Sequence, residues 1–328
     1  MFGKQCCGRR RYAPPHARPY AGPVNTTALE EHAALVALLS VRPGKLGWSD
    51  ITAQVIETGS AREIWERHVP ATLPGIPSDN DAVAQAREQV LGWHREDLAF
   101  VTILDDDYPD QLRDVHQAPP ILFFRGKLLT ADKAVSVVGS RNASDAGLDF
   151  AANTARALVA ERLTVAAGLA SGIDTAAHTA ALDSAGRTVA VIGTGIRNTY
   201  PAENTMLQAT IAQRGLVVSQ FWPDAPPQRQ NFLMRNATMS GYGLATVVVE
   251  AGEQSGARAQ ARIAVEHGRP VILSSMVVRA NEWAQRLIDR PGVHIAGSVD
   301  EVIDTIRTIT REDAELDEAL STIAVSDG

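Results

Sequence analysis

Cysteine is nearly absent: of 328 residues only Cys6 and Cys7 are cysteines, and they are neighbours. Two adjacent thiols cannot staple distant segments, so no disulfide framework holds the fold, and a reducing, cytoplasmic setting is expected. Aromatic residues amount to 5%, which leaves Ala, Val, Leu and Ile to build the core. No apolar run reaches the roughly 20 residues that cross a bilayer, and the first residues carry no apolar signal segment, so no membrane association is expected. An excess of positive charge is missing as well, with a formal net charge of −7. That excludes a chain coated in cations, but it permits a local basic pocket, because phosphate recognition depends on where charges sit.

The charge that is present is unevenly placed. Met1 to Asn25 holds five basic residues and no acidic one, while Glu312 to Gly328 holds six acidic residues and no basic one. Neither end shows a hydrophobic period. Residues 1–25 are therefore expected to be a disordered basic arm, and 312–328 a mobile acidic tail. Between them, 45% hydrophobic and 21% charged residues are ordinary for a globular protein with room for more than one domain.

Residues 26–97 read as a small all-helical domain. Leu29, Ala33, Val36 and Leu39 share a helical face that ends at Pro43-Gly44. Ser49 is placed to cap the next helix. Ser60-Ala-Arg-Glu63 is a capping box, and Ser78-Asp79 starts a helix carrying Val83, Ala86 and Val90. With acids and bases balanced, this unit is expected to pack or to contact protein rather than DNA.

The stretch from Val135 to Ala181 organises the remainder. Val135 to Val138 is a short apolar run stopped by Gly139-Ser140-Arg141, which reads as a buried parallel strand followed by a tight turn. Ser144 can cap a helix bearing Leu148, Ala151, Ala155 and Leu158. The pattern repeats with a strand at Thr164 to Ala167, a turn at Gly168-Leu-Ala-Ser171-Gly172 and another helix of small residues. Further strands are expected at 98–104, 121–124, 188–192, 216–221, 247–250 and 271–274, and closing helices at 282–288 and 298–308. Such alternation points to the α/β fold class, a doubly wound, mostly parallel sheet over 98–311, with its crevice at the carboxyl ends of the strands.

Several constellations carry possible chemistry. Asp105-Asp106-Asp107 precedes Tyr108-Pro109 and lacks the further oxygen ligands a cation needs, so a solvated turn is expected and no metal site. Gly193-Thr-Gly195 lacks the third glycine and the acidic residue of a dinucleotide fingerprint, so no cofactor is expected. Gly139, Ser140 and Arg141 suit a phosphate, with backbone N–H groups aimed from a helix start and a guanidinium fork beside them. Ser171, Asp174 and His178 resemble a hydrolase triad, but their spacing puts them on successive turns of one helix. Ser171 and Asp174 then serve as caps and His178 lies on the surface. Residues 221–241 read as a long, non-periodic loop in which Arg229, Arg235 and Asn236 alternate with Phe221, Trp222 and Phe232, a mixture suited to single-stranded nucleic acid.

Taken together, DDDYPDQLRDVHQAPPILFFRG, VSVVGSR, VAAGLASGIDTAAHTAAL, VAVIGTGIRNTYPAEN, Arg235-Asn236 and VVVEAGEQSGA resemble the DprA/Smf family of bacterial DNA-processing proteins. The resemblance implies an extended Rossmann-like domain, usually a homodimer, that binds and protects single-stranded DNA in a basic pocket. It also implies a role in natural transformation and help in loading a RecA-type recombinase, without catalysis. Position by position it carries over Arg141 of the Gly-Ser-Arg turn, Arg229, and the Arg235-Asn236 pair. The glycine turns bring Gly139, Ser140, Gly168, Ser171 and Gly172 to the same pocket. Ala237 stands where the family has a second arginine, and Ala202 follows Tyr200-Pro201 where several members have lysine.

Two other readings stay open. The glycines of Glu250 to Arg258 resemble the loop of nucleotide-processing phosphoribohydrolases, but the motif's glutamate is missing, which leaves a nucleotide-sensing protein. The altered arginine segment alternatively suits a protein-interaction module acting in defence or repair with a weakened DNA site.

Overall fold

Leu29, Ala33, Val36 and Leu39 are all buried in the first helix, α1 (Thr26–Val41), and so are Ala34, Leu35, Ala37 and Leu38, so from Ala33 to Leu39 the helix is enclosed on every side. These coordinates, a computed structural model, describe residues 26–69 and 80–326. The basic arm over 1–25, with Cys6 and Cys7, and the helix start at Ser78-Asp79 lie outside the described residues. Gly47, not Ser49, precedes α2 (Trp48–Thr58), and its N–H donates to the Asp50 carboxylate at 2.9 Å. At α3 (Ala61–His68), Ser60 Oγ accepts from the Glu63 N–H at 3.1 Å. The carboxylate that answers it belongs to Glu31 of α1, which accepts from the Ala61 N–H at 2.7 Å. The Ser60 N–H, which the reciprocal half of the box would give to Glu63, donates instead to Thr58 Oγ1 at 3.3 Å.

The helical part, completed by α4 (Asn80–Arg95), packs against one edge of the sheet. That edge is made by β1 (Phe100–Thr102) and β2 (Ile121–Gly126), with the single turn α5 (Asp110–Arg113) between them. The scarce aromatics gather at this seam. The Trp93 ring lies 5.4 Å from Phe100 and 4.9 Å from Phe123, and Trp48 lies 5.6 Å from Trp222. One hydrophobic core runs from these helices into the sheet without a break. Asp105 accepts from the Thr102 N–H at 2.7 Å and faces His32 Nε2 at 2.9 Å. It therefore closes its turn and ties it to α1, while Asp106 and Asp107 remain exposed.

The chain then alternates: β3 (Ala134–Val138), α6 (Asp145–Ala160), β4 (Thr164–Ala167), α7 (Ile173–Asp183), β5 (Thr188–Val191), α8 (Thr205–Arg214), β6 (Leu216–Ser219). It continues with α9 (Arg229–Tyr242), β7 (Gly243–Val248), α10 (Gly256–Glu266), β8 (Val271–Ser274), α11 (Ser275–Ala280), α12 (Glu282–Leu287), β9 (Val293–Ala296) and α13 (Val299–Ser326). The nine-stranded sheet has the order β1-β2-β6-β5-β4-β3-β7-β8-β9. Every pairing from β6 to β9 is parallel, and only β2 runs against the rest, antiparallel to both β1 and β6. Every residue of β3, β4, β5, β6 and β8 is buried, as two covered faces require. From β3 the chain winds through β4 and β5 to β6, then crosses back to place β7 on the other side of β3. The switch point of the sheet therefore lies between β3 and β7.

Three elements depart from the sequence expectations. Residues 229–242, expected as loop, form α9, whose buried face includes Asn231, Arg235, Asn236, Thr238 and Ser240. A helix that buries polar groups leaves no hydrophobic period to read. The strand β9 was not expected, because Val-His-Ile-Ala is short and its two middle residues are exposed at the sheet edge. The last helix, expected to end near Thr308, stays helical to Ser326, through most of the segment from Glu312 on that was expected as a mobile tail.

Candidate functional site

The turns after β3 and β7 sit side by side at the switch point and open a cleft of about 950 Å³. Its walls carry Arg141, Tyr200, Arg229, Phe232, Arg258 and Arg262. A smaller recess of about 220 Å³ shares Arg141, Tyr200, Phe232 and Arg235 with it, and reaches Gly168 and Ser171. Segments a hundred residues apart in the chain thus converge on one opening, and Arg141 and Arg235 face the same space.

The two arginines differ in character. Arg141 and Arg229 are exposed, whereas Arg235 is 6% exposed and belongs to the floor. Its Nη1 donates to the carbonyl oxygens of Gly168 at 2.7 Å and Val191 at 2.6 Å, and its Nε donates to Asn236 Oδ1 at 3.2 Å. Burial lowers its pKa and Asp174 opposes that shift, so the guanidinium stays charged. Asn236 is buried too, and its amide donates to the Gly256 carbonyl at 3.3 Å. The Arg-Asn pair therefore braces the ends of β4, β5 and the α10 turn from beneath, where free, solvent-facing contacts had been expected.

The Gly139-Ser140-Arg141 turn also works differently from the expected phosphate cradle. The Ser140 N–H donates to the Glu250 carbonyl at 2.7 Å, and the Asn142 N–H donates to Ser140 Oγ at 3.1 Å. At the start of α6 the Glu250 carboxylate accepts from the Ser144 N–H at 3.1 Å and from Ser144 Oγ at 2.6 Å. The protein's own carboxylate fills the place where a helix N-terminus attracts an anion. The Arg141 side chain lines the cleft, whereas the Ser140 and Asn142 amides are already bonded within the protein.

Gly172 is not a lining residue. It has φ 78°, and a side chain there would run into the carbonyl oxygens of Ser140 and Arg141, so glycine lets the two turns close on each other. Ser171 Oγ donates to Glu203 at 2.7 Å. Asp174 accepts from the N–H groups of Gly168 at 3.0 Å and Ala170 at 3.2 Å, holding the turn in place of capping the helix. Burial raises its pKa, against the field of Arg235. His178, expected on the surface, is fully buried and meets Thr188 Oγ1 at 2.7 Å. The Thr188 hydroxyl donates to the Val165 carbonyl at 2.8 Å, so the imidazole Nδ1 carries the proton of the shared bond. Ser171, Asp174 and His178 thus have separate partners and form no triad.

An aromatic pair completes the cleft. Tyr200, 39% exposed, lies 5.4 Å from Phe232, and the Arg141 guanidinium sits over the Phe232 ring at 5.6 Å. Arg258 and Arg262 were missed in the sequence, although their one-turn spacing after a glycine turn at a strand end was the available signal. In all, five arginines line the cleft against two carboxylates, Asp174 and Glu253.

This arrangement defines an open α/β protein of Rossmann-like topology with an anion-attracting cleft at its switch point. The chain belongs to the DNA recombination-mediator protein A family, whose model matches residues 99–307. It is 42% identical over 171 residues to DNA processing protein DprA of Streptococcus pneumoniae, covering 52% of this chain and 60% of that relative. It is 38% identical over 189 residues to Protein Smf of Synechocystis, covering 56% of this chain and 48% of that relative. The chain thus matches about half the length of these curated relatives. The X-ray structure of the Streptococcus pneumoniae DprA superposes with a TM-score of 0.64 at 28% identity, over 84% of this chain and 95% of that one. DNA processing protein A of Helicobacter pylori, described for its single-stranded DNA binding mode, shares the fold with a TM-score of 0.56 at 22% identity, over 64% of this chain and 96% of that one. The expected family and the Rossmann-like fold both hold.

Proposed function

We propose that the cleft binds single-stranded DNA and that the protein acts in DNA processing as a binding protein, with no chemical step of its own. The observation that carries this reading is the gathering of exposed Arg141 and Arg229 with the Tyr200–Phe232 pair at one opening. Guanidinium groups suit phosphates and aromatic faces suit unpaired bases, a combination typical of single-strand grooves. Protection of the strand, its transfer to a RecA-type recombinase and action as a homodimer are the finer parts of the same proposal. A mononucleotide seated at the start of α6 fits less well, because Glu250 already satisfies that helix end.

Mobility-shift titrations with single- and double-stranded oligonucleotides of one length test the reading. Preferential binding of the single strand, weakened by Arg141→Glu and by Arg229→Glu, supports it. Absence of binding to oligo-dT at low salt defeats it. Stabilisation by mononucleotides with none by oligonucleotides favours nucleotide sensing instead.

A further inference from the structure

We infer that Arg258 and Arg262 form a second wall of the cleft, one that grips the sugar-phosphate backbone of a single strand while the opposite wall stacks a base. The inference rests on the reading of the cleft as a single-stranded DNA site and divides the labour within it.

The two walls differ in composition. One carries Arg141, Phe232 and Tyr200, with the guanidinium over one ring and the second ring beside it. The other is the first two turns of α10, which lines the cleft from Ser255 to Arg262 and contributes no aromatic residue. Ala257, Gln260, Ala261, Ile263 and Ala264 turn inward and are buried, so Arg258 and Arg262 project from the outer face, both exposed. They lie one turn apart, about 6 Å along the axis, a ladder for successive phosphates. Gly256 and Ala259, which line the cleft beside them, are small.

Neither guanidinium is locked. Arg262 pairs with Glu266 at 2.9 Å, but both side chains are exposed, and such a pair contributes little and exchanges readily for a phosphate. Arg258 gives one Nη1 bond to the Glu253 carbonyl at 2.9 Å and has four further donors. The carboxylate of Glu253, the acid nearest Arg258 in sequence, is turned to the Glu282 N–H at 2.6 Å. A wall of charge without rings attracts phosphate whatever the base, and it is indifferent to whether a base is present.

Anisotropy titrations across salt test this with oligo-dT and an abasic strand of equal length. The proteins are the wild-type chain, Arg258→Gln/Arg262→Gln, Arg258→Lys/Arg262→Lys and Tyr200→Ala. The double glutamine variant is expected to flatten the log-affinity against log-salt slope by about 1.4 on both strands, and the double lysine variant is expected to keep the slope. Tyr200→Ala is expected to lose about 5- to 100-fold on oligo-dT, little on the abasic strand, with its slope unchanged. If the wild type binds oligo-dT and the double glutamine variant matches it in affinity and slope, the backbone-gripping wall is wrong while the cleft reading stands. A loss confined to oligo-dT overturns it equally. No wild-type binding to either strand removes the cleft reading and this inference together. Thermal melts confirm that each variant is folded, which two exposed arginines on a helix surface permit.

Discussion

Arg235 and Gly168 are fitted to each other. One guanidinium nitrogen bonds the Gly168 carbonyl at 2.7 Å, and a Cβ on residue 168 would land on the guanidinium itself. The cation can lie under the ends of β4 and β5 only because residue 168 has no side chain. Gly168→Ala is therefore expected to destabilise the protein by about 1–3 kcal/mol, the usual cost of overpacking. It should also weaken oligonucleotide binding, since the floor of the cleft shifts. Chemical denaturation and anisotropy check the two effects.

Asp174 and Arg235 share buried surroundings and each opposes the other's shift in pKa. Arg235→Met is expected to cost about 3–5 kcal/mol, because the Gly168 and Val191 carbonyls lose their donor and buried Asp174 loses a favourable positive field. Adding Asp174→Asn should recover part of that loss, where independent sites would add their costs. A double-mutant cycle by urea denaturation reads the coupling directly.

Much of the sheet was legible, and the reason is local. Strands such as Val135 to Val138 are buried on both faces and end in glycine turns, so burial and turn chemistry both show in the residues themselves. The capping residues Ser144 and Ser255 were equally open to reading, and each accepts from the amide three residues on. That Arg141, Arg229 and Arg235 share one opening follows from turns at strand ends, but their bonding partners were not legible. Nothing near Arg235 in sequence reveals that Gly168 and Val191 will claim it, nor that Glu250 will occupy the start of α6. Those bonds join segments tens of residues apart and exist only once the sheet has been assembled. The helix α9 was hidden for a related reason, since its buried face is polar and its partners are distant.

His178 supplies a pH dependence of defined sign. Burial, aided by Arg235, pushes its pKa down to about 3 from 6.5. The unfolded chain therefore takes up a proton that the folded chain refuses. Its contribution to stability is complete above about pH 6.5 and falls as pH drops toward about 3, by up to about 1.4 kcal/mol per unit. Urea denaturation at stepped pH should show this decline, and His178→Gln should flatten it across that window.

The seam between the helical part and the sheet rests on Trp93, which is buried against Phe100 and Phe123. Trp93→Ala is expected to cost about 3–5 kcal/mol. Because the core is continuous across the seam, the helices and the sheet should still unfold in one transition. Far-UV circular dichroism and the fluorescence of the remaining tryptophans, followed together through denaturation, check this.

The most direct test of the cleft is the salt dependence of oligo-dT binding to the wild-type chain. Four exposed arginines line the opening, Arg141, Arg229, Arg258 and Arg262. Neutralising one phosphate each, they predict a slope of log affinity against log salt of about −3 per chain, single strands giving about −0.7 for each contact. A slope near zero, or no binding at the lowest salt, would contradict the account.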